Sequence, residues 1–178
     1  EDDEPRVRAA CIGSLAALGF PAREYAAALL ELIEDPDEQV RAAAVSAAGE
    51  MEVDHQVKLL PILIRSLADS SVELRRAAAA SLGSVGPPAA PAGQALLAAL
   101  KDSDPGVRAL AAHALGSLGG NGSGLARELP VLLQDKDQAV RRASVEALGG
   151  FSAGIEAAAE PLRALASAGE EAEALRVA

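Results

Sequence analysis

His55, His113 and Cys11 are the side chains of this chain best suited to bind a metal, move a proton or attack a substrate, so their surroundings are read first. A catalytic zinc takes three protein ligands drawn from His, Cys, Asp and Glu, and a structural one takes four. His55 is followed by Gln56 and His113 by Ala114, which leaves a two-histidine set short of ligands, and no metal is expected. The single cysteine excludes an internal disulfide and a cysteine-based zinc site. The glycine-rich stretch Gly119-Gly120-Asn121-Gly122-Ser123-Gly124 lacks the Lys-Ser or Lys-Thr that follows a phosphate-cradling loop, and it reads as a connector. Acid–base catalysis by paired carboxylates needs a cleft, and the acidic side chains here cluster between helices and at the termini. No catalytic residue and no cofactor site is expected.

A different set of charged residues recurs with a period. A Val-Arg or Leu-Arg pair appears at Val7-Arg8, Val40-Arg41, Leu74-Arg75, Val107-Arg108 and Val140-Arg141, at spacings of 33, 34, 33 and 33. Five residues before each apolar member stands an aspartate: Asp2, Asp35, Asp69, Asp102 and Asp135. Eight residues after it comes Leu15, Ala48, Leu82, Leu115 or Leu148, followed in four of the five units by Gly49, Gly83, Gly116 or Gly149.

These marks sit on helices. Apolar or small residues at offsets 0, 4, 5, 8 and 11 from the Val form one helical stripe, as in Val107, Ala111, Ala112, Leu115 and Leu118. Asp35-Pro36-Asp37-Glu38 and Asp104-Pro105 supply an acidic cap and a first-turn proline; Gly19, Gly86 and Gly119 mark helix ends. A second helix in each unit carries Leu29 and Ile33, Leu63 and Leu67, Leu96 and Leu100, or Leu129 and Leu133, each pair four apart and on one face. No alternating strand pattern competes with this reading.

Composition agrees. Half of the 178 residues are apolar but only 2 % are aromatic, and the Ala-rich balance suits helices at close approach. Phe20, Tyr25 and Phe151 are too few for a base-stacking platform. A formal net charge of −10 repels nucleic acid and acidic lipid, and no apolar run is long enough to insert into a membrane. A lone thiol fits a reducing, intracellular setting.

The pattern of Asp, then Val-Arg, then an Ala-rich Leu-Gly helix resembles HEAT repeats, most closely the short, phycobilisome-lyase-like variety. The resemblance covers nearly the whole chain. It implies an all-α, right-handed solenoid of HEAT- or armadillo-like hairpins, with about five repeats. Residues 1–178 would form one array, with units at about 1–33, 34–67, 68–100, 101–134 and 135–169 and a partial unit at 170–178. In the family's phase the array starts and ends mid-repeat, its first ~20 residues being the second helix of a pair, and its tail Glu171–Arg176 another such helix beginning.

In such proteins the Asp and Arg form a ladder of ion pairs and hydrogen bonds between neighbouring repeats. The resemblance implies this for Asp2, Asp35, Asp69, Asp102 and Asp135 with Arg8, Arg41, Arg75, Arg108 and Arg141, with Asp35 engaging Arg41 and the neighbouring Arg8 and Arg75. The offset of His113, six past Val107, would look out from the helices that line the concave side. Ser46 and Glu146 share that offset, and Ser84, Ser117 and Glu50 lie ten past their markers, so these six residues are the candidate partner groove. Cys11, four past Val7 where other units have Ala44, Ala78, Ala111 and Ser144, is expected to be a buried, inert thiol. Metal-dependent HEAT enzymes such as the deoxyhypusine hydroxylases carry repeated His-Glu pairs, which this sequence lacks.

The expected function is therefore a non-catalytic module that binds or braces another protein, within a larger complex. A bilin lyase or chromophore-handling factor is the alternative that the repeat subtype suggests. A DNA-lesion-binding HEAT-like protein is a third, opposed by the acidic charge and the absence of Trp.

Overall fold

The computed structural model describes residues 4–17, 22–51, 53–119, 124–149, 151 and 163. Asp2, Gly19, Phe20, residues 120–123 of the glycine-rich connector and the 170–178 tail lie outside them, as does the side chain of His55. Helices are the regular elements among the described residues: α1 (Pro5–Ala17), α2 (Ala22–Leu32), α3 (Glu38–Gly49), α4 (Val53–Ser66), α5 (Val72–Val85), α6 (Gly93–Ala99), α7 (Pro105–Ser117) and α8 (Gln138–Gly149). Two 3-10 segments, Pro87–Ala92 and Ala126–Gln134, complete the set.

The helices that carry the Val-Arg marks, α1, α3, α5, α7 and α8, stack one against the next in a single layer. The leucine-bearing elements form the second layer, each joined to the following Val-Arg helix by a tight turn. The fold is an all-α solenoid of stacked helical hairpins.

Each turn is built the same way. The ladder aspartate accepts the backbone N–H of the residue two further on: Asp35 from Asp37, Asp69 from Ser71, Asp102 from Asp104 and Asp135 from Asp137, all at 2.9 Å. That second residue then caps the next helix. Asp37 accepts from the N–H groups of Gln39 and Val40, Ser71 from Leu74, Asp104 from Val107, and Asp137 from Ala139 and Val140. Orphan donors at the helix start are thus satisfied by the turn itself. Gly86 ends α5 with φ +68°, a conformation that suits a residue without Cβ.

The interior is one continuous cluster running from Ile12 to Phe151. The leucine pairs are all buried within it, as is the 107, 111, 112, 115, 118 stripe. Truncating Leu63, Leu96 or Leu129 to Ala would cost about 2–5 kcal/mol each.

Two expectations need correction. The second helix of the later units is not a regular α-helix throughout: Pro87–Ala92 precedes a seven-residue α6, and Ala126–Gln134 is 3-10 along its length. Pro91 and Pro130 lie inside these segments and donate no backbone hydrogen bond. Pro61 is carried inside α4, where two helical turns precede it. Cys11 is exposed and not buried. Its register is covered in α3, α5, α7 and α8, each of which packs on the leucine-layer element before it, as Ser144 does in donating to the Leu129 carbonyl, whereas among the described residues no such element precedes α1. Val7 is 43 % exposed for the same reason. Alkylation of Cys11 in the folded protein is therefore expected to be fast.

Candidate functional site

Two constellations stand out: the charged turns along one edge of the stack, and the small-residue outer face of the Val-Arg helices.

At the turns each arginine works with two edges of its guanidinium. Nη1 of Arg41 donates to the backbone carbonyls of Asp35 and Pro36 at 2.9 and 3.0 Å. Arg75 does the same to Asp69 and Ser70, Arg108 to Asp102 and Ser103, and Arg141 to Asp135 and Lys136. The Nε and Nη2 edge then faces the following unit. Arg8 grips Asp35 at 2.8 and 2.9 Å, Arg75 grips Asp102 at 2.7 and 3.0 Å, and Arg108 grips Asp135 at 2.8 Å through both nitrogens. A fork-to-carboxylate pair of this kind fixes orientation as well as contributing energy. Asp35 therefore gives its carboxylate to Arg8 and its backbone carbonyl to Arg41, and Arg75 reaches forward to Asp102 instead of meeting Asp35.

Arg41 and Asp69 depart from the pattern: their nearest charged atoms are 3.7 Å apart. A pair outside the recurrent marks compensates further along. Arg76 holds Asp104 at 2.8 and 2.6 Å, which gives the α5–α7 junction two bidentate links. Sequence reasoning missed this pair because Ala42 and Ala109 fill the Arg76 position in neighbouring units. Arg65 and Glu34 form a further, exposed ion pair between hairpins.

The partners leave their mark on the acids. The Arg8, Arg75 and Arg108 guanidiniums hold the carboxyls of Asp35, Asp102 and Asp135 below the usual carboxylate range, against the opposing effect of burial. Arg76, with help from the Val107 N–H, brings Asp104 to about 2. The same contacts raise Arg75 and Arg108. These groups stay charged and paired at neutral pH, which suits a brace and not a proton donor.

The outer face of the Val-Arg helices is set by close approach. A Cβ at Gly49 would lie 2.7 Å from Cα of Ser81, and one at Gly116 would lie 2.7 Å from Cα of Ala147, so glycine lets these helices touch. The Ser81 hydroxyl donates to the Val45 carbonyl at 2.8 Å across the same contact. Above these contacts lie two shallow recesses. Ser46, Glu50 and Ser84 border one of about 230 Å³ between α3 and α5. His113, Ser117 and Glu146 border another of about 180 Å³ between α7 and α8. The six groove candidates thus fall into two groups of three, with His113 leaning against Gly83 of α5 between them. Ser84 and Ser117 return their hydroxyl protons to carbonyls one turn back in their own helices, at 3.3 and 3.2 Å. Glu146 pairs with Arg142 at 3.1 Å.

A third recess went unforeseen. On the leucine layer, Leu97, Lys101, Glu128 and Val131 line about 400 Å³ between α6 and Ala126–Gln134. Val131 is 71 % exposed, two residues past Leu129 and so on the face away from the leucine pair, as are Glu31, Arg65 and Ala98 in the other units. Among the described residues no group of three or more His, Cys, Asp or Glu is placed to hold a metal, and no helix is long and apolar enough to cross a membrane.

No curated protein matches the chain in sequence. Solved structures share its fold. The complex of CpcE and CpcF of phycocyanin lyase from Nostoc sp. PCC7120 is similar at 24 % identity and TM-score 0.64, over 82 % of this chain and 91 % of that one. A designed armadillo repeat protein is similar at 20 % identity and TM-score 0.64, over 84 % and 74 %. The archaeal HEAT-like repeats protein from Thermococcus onnurineus NA1 is similar at 19 % identity and TM-score 0.53, and this chain spans 64 % of its length. In sequence, residues 1–83, 58–132 and 93–178 match HEAT repeats. The recurrent Asp and Val-Arg marks and the stacked hairpins agree with that match, and the chain belongs to the HEAT repeat family.

Proposed function

We propose that this chain is a non-catalytic, intracellular interaction module that binds another protein along the outer face of α3, α5, α7 and α8. The observation that carries the reading is the row of small and polar side chains there, Ser46, Ser84, His113 and Ser117, set on closely packed helices whose α1–α3, α5–α7 and α7–α8 turns are joined by bidentate Arg–Asp pairs. Short side chains on helices leave recesses that a partner's side chains fill without first ordering a loop, which lowers the entropic cost of binding. The array contributes area and curvature, as repeat solenoids do.

A photo-activated cross-linking residue at Ser84 or Ser117, in the source cells, is expected to capture one recurrent protein, whereas the same probe at Val131 is not. Ser84→Arg and Ser117→Arg would each abolish capture without shifting the thermal melt. Equal capture from both layers would sink the assignment of the face. The bilin-lyase alternative has the shared fold with the Nostoc complex behind it. Zinc-dependent fluorescence after incubation with a bilin tests it, and a stable fluorescent adduct would displace the scaffold reading.

A further inference from the structure

We propose that Arg41 and Asp69 form a latch, and that the array bends at the α3–α5 junction by opening and closing it. The sequence places an irregularity at this junction. Gly49 and Leu63 are 14 residues apart, while Gly83 and Leu96, and Gly116 and Leu129, are 13 apart. The added residue makes this the 34-residue unit and falls between the helix that bears Arg41 and the turn that bears Asp69. One residue is worth about 1.5 Å of helical rise, enough to carry a carboxylate out of hydrogen-bond range.

The geometry follows that displacement. Arg8, Arg75 and Arg108 meet their aspartates at 2.8, 2.7 and 2.8 Å, but Arg41 stands 3.7 Å from Asp69. Asp69 still accepts from the Ser71 N–H and Nη1 of Arg41 still serves its own turn, as in the other units, so what this junction lacks is the short link between units. A crevice of about 380 Å³ lies between Glu34, Arg41, Arg65 and Asp69, crossed by the exposed Arg65–Glu34 pair. At the other end of the same two helices the contact is tight, Gly49 on Ser81, and the Ser81 hydroxyl bonds the Val45 carbonyl at 2.8 Å. A junction packed backbone to backbone at one end and spanned only by side-chain ion pairs at the other is a wedge, and it moves about its packed end. Hinges of this type concentrate displacement in a few residues while the flanking elements stay rigid. The recess of Ser46, Glu50 and Ser84 lies beside the pivot, so bending there reshapes it.

Spin labels at equivalent exposed positions, one past each ladder aspartate, measure this directly. In a Cys11→Ser background, the pairs Pro36→Cys/Ser70→Cys, Ser70→Cys/Ser103→Cys and Ser103→Cys/Lys136→Cys span three successive junctions. The first pair is expected to give a distance distribution roughly twofold broader than the other two, as a locally opening junction requires. Deleting Glu52 restores the 33-residue unit and should narrow it to match them. Asp69→Glu, whose extra methylene spans the gap, should narrow it as well and serves if the deletion chain fails to fold. A 36/70 distribution as narrow as the reference pairs in the unaltered chain would overturn the proposal, and so would a broad one that Asp69→Glu leaves unchanged.

Discussion

Where α3 meets α5, backbone rests on backbone at Gly49 and Ser81, yet the ladder side chains at the turn stand 3.7 Å apart. Where α5 meets α7 the balance is reversed. A Cβ at Gly83 would sit 3.5 Å from Cα of Ala114, an ordinary contact, while Arg75 and Arg76 both grip the next turn with two hydrogen bonds each. One fold thus joins its units by two means. Close packing of small residues is unforgiving of volume, and a doubled guanidinium–carboxylate link fixes the turn edge; the α7–α8 junction, with Gly116 against Ala147 and Arg108 on Asp135 at 2.8 Å, has both, so the two means are independent. Substitutions at equivalent positions should accordingly behave differently at the two junctions.

The largest contrast is expected from glycine. Gly49→Val would push side-chain carbons into the Ser81 backbone, forcing α3 and α5 apart at a cost of about 3 kcal/mol. Gly83→Ala meets open van der Waals distance in a helix interior, where alanine gains about 0.5–1 kcal/mol over glycine. Urea unfolding of both variants checks this. A stable Gly49→Val protein would mean that the α3–α5 contact is not the close one.

A smaller contrast separates the arginines. Arg75→Ala strips Asp102 of its partner in a turn where both side chains are 12 % exposed, and should cost roughly 1–3 kcal/mol. Arg41→Ala removes a pair held at 3.7 Å along with two bonds to its own turn, and should cost less than Arg75→Ala, about 1 kcal/mol. Thermal melts that rank the two in the opposite order would remove the distinction between the junctions.

How much of this was legible depends on what each residue's role requires. The apolar stripe and the leucine pairs follow from helical periodicity, since burial on one face is a property of spacing alone, and Leu29, Leu63, Leu96 and Leu129 are all fully buried. The charged residues were legible as types, whereas their pairing was not. Arg41 lies six residues from Asp35 in sequence, but that short separation delivers it to the Asp35 carbonyl and leaves the carboxylate for Arg8, 27 residues away. Cys11 matched a buried register, yet burial there depends on the leucine-layer element packed before the helix, as Leu129 is on Ser144, which register does not encode. The 33, 34, 33, 33 spacing was in plain view, but its meaning needed the 3.7 Å gap that it produces. Arg76 and Asp104 form a pair that no period announces, because Ala9, Ala42 and Ala109 stand at the Arg76 register of other units.

That pair offers the finest test of the comparison. Four aspartates have folded-state pKa values lowered by their arginines, and two of them, Asp102 and Asp104, belong to the α5–α7 junction. A carboxyl whose pKa is lower folded than unfolded adds stability above its unfolded value, and that stability is lost as pH falls through the folded one. For Asp104 the window runs from about 4, the unfolded value, down to about 2. Arg76→Ala should therefore lower the urea midpoint modestly at about pH 6, and the gap from the parent chain should shrink as pH falls from about 4 toward about 2. Arg76 is 46 % exposed, so added salt should shrink the same gap at neutral pH. A gap that persists unchanged at pH 2 would mean that Arg76 acts by packing its stem across Gly106, where a Cβ would meet its Nε at 2.7 Å, and not by charge. The α5–α7 junction would then be held by volume after all, as its neighbour is.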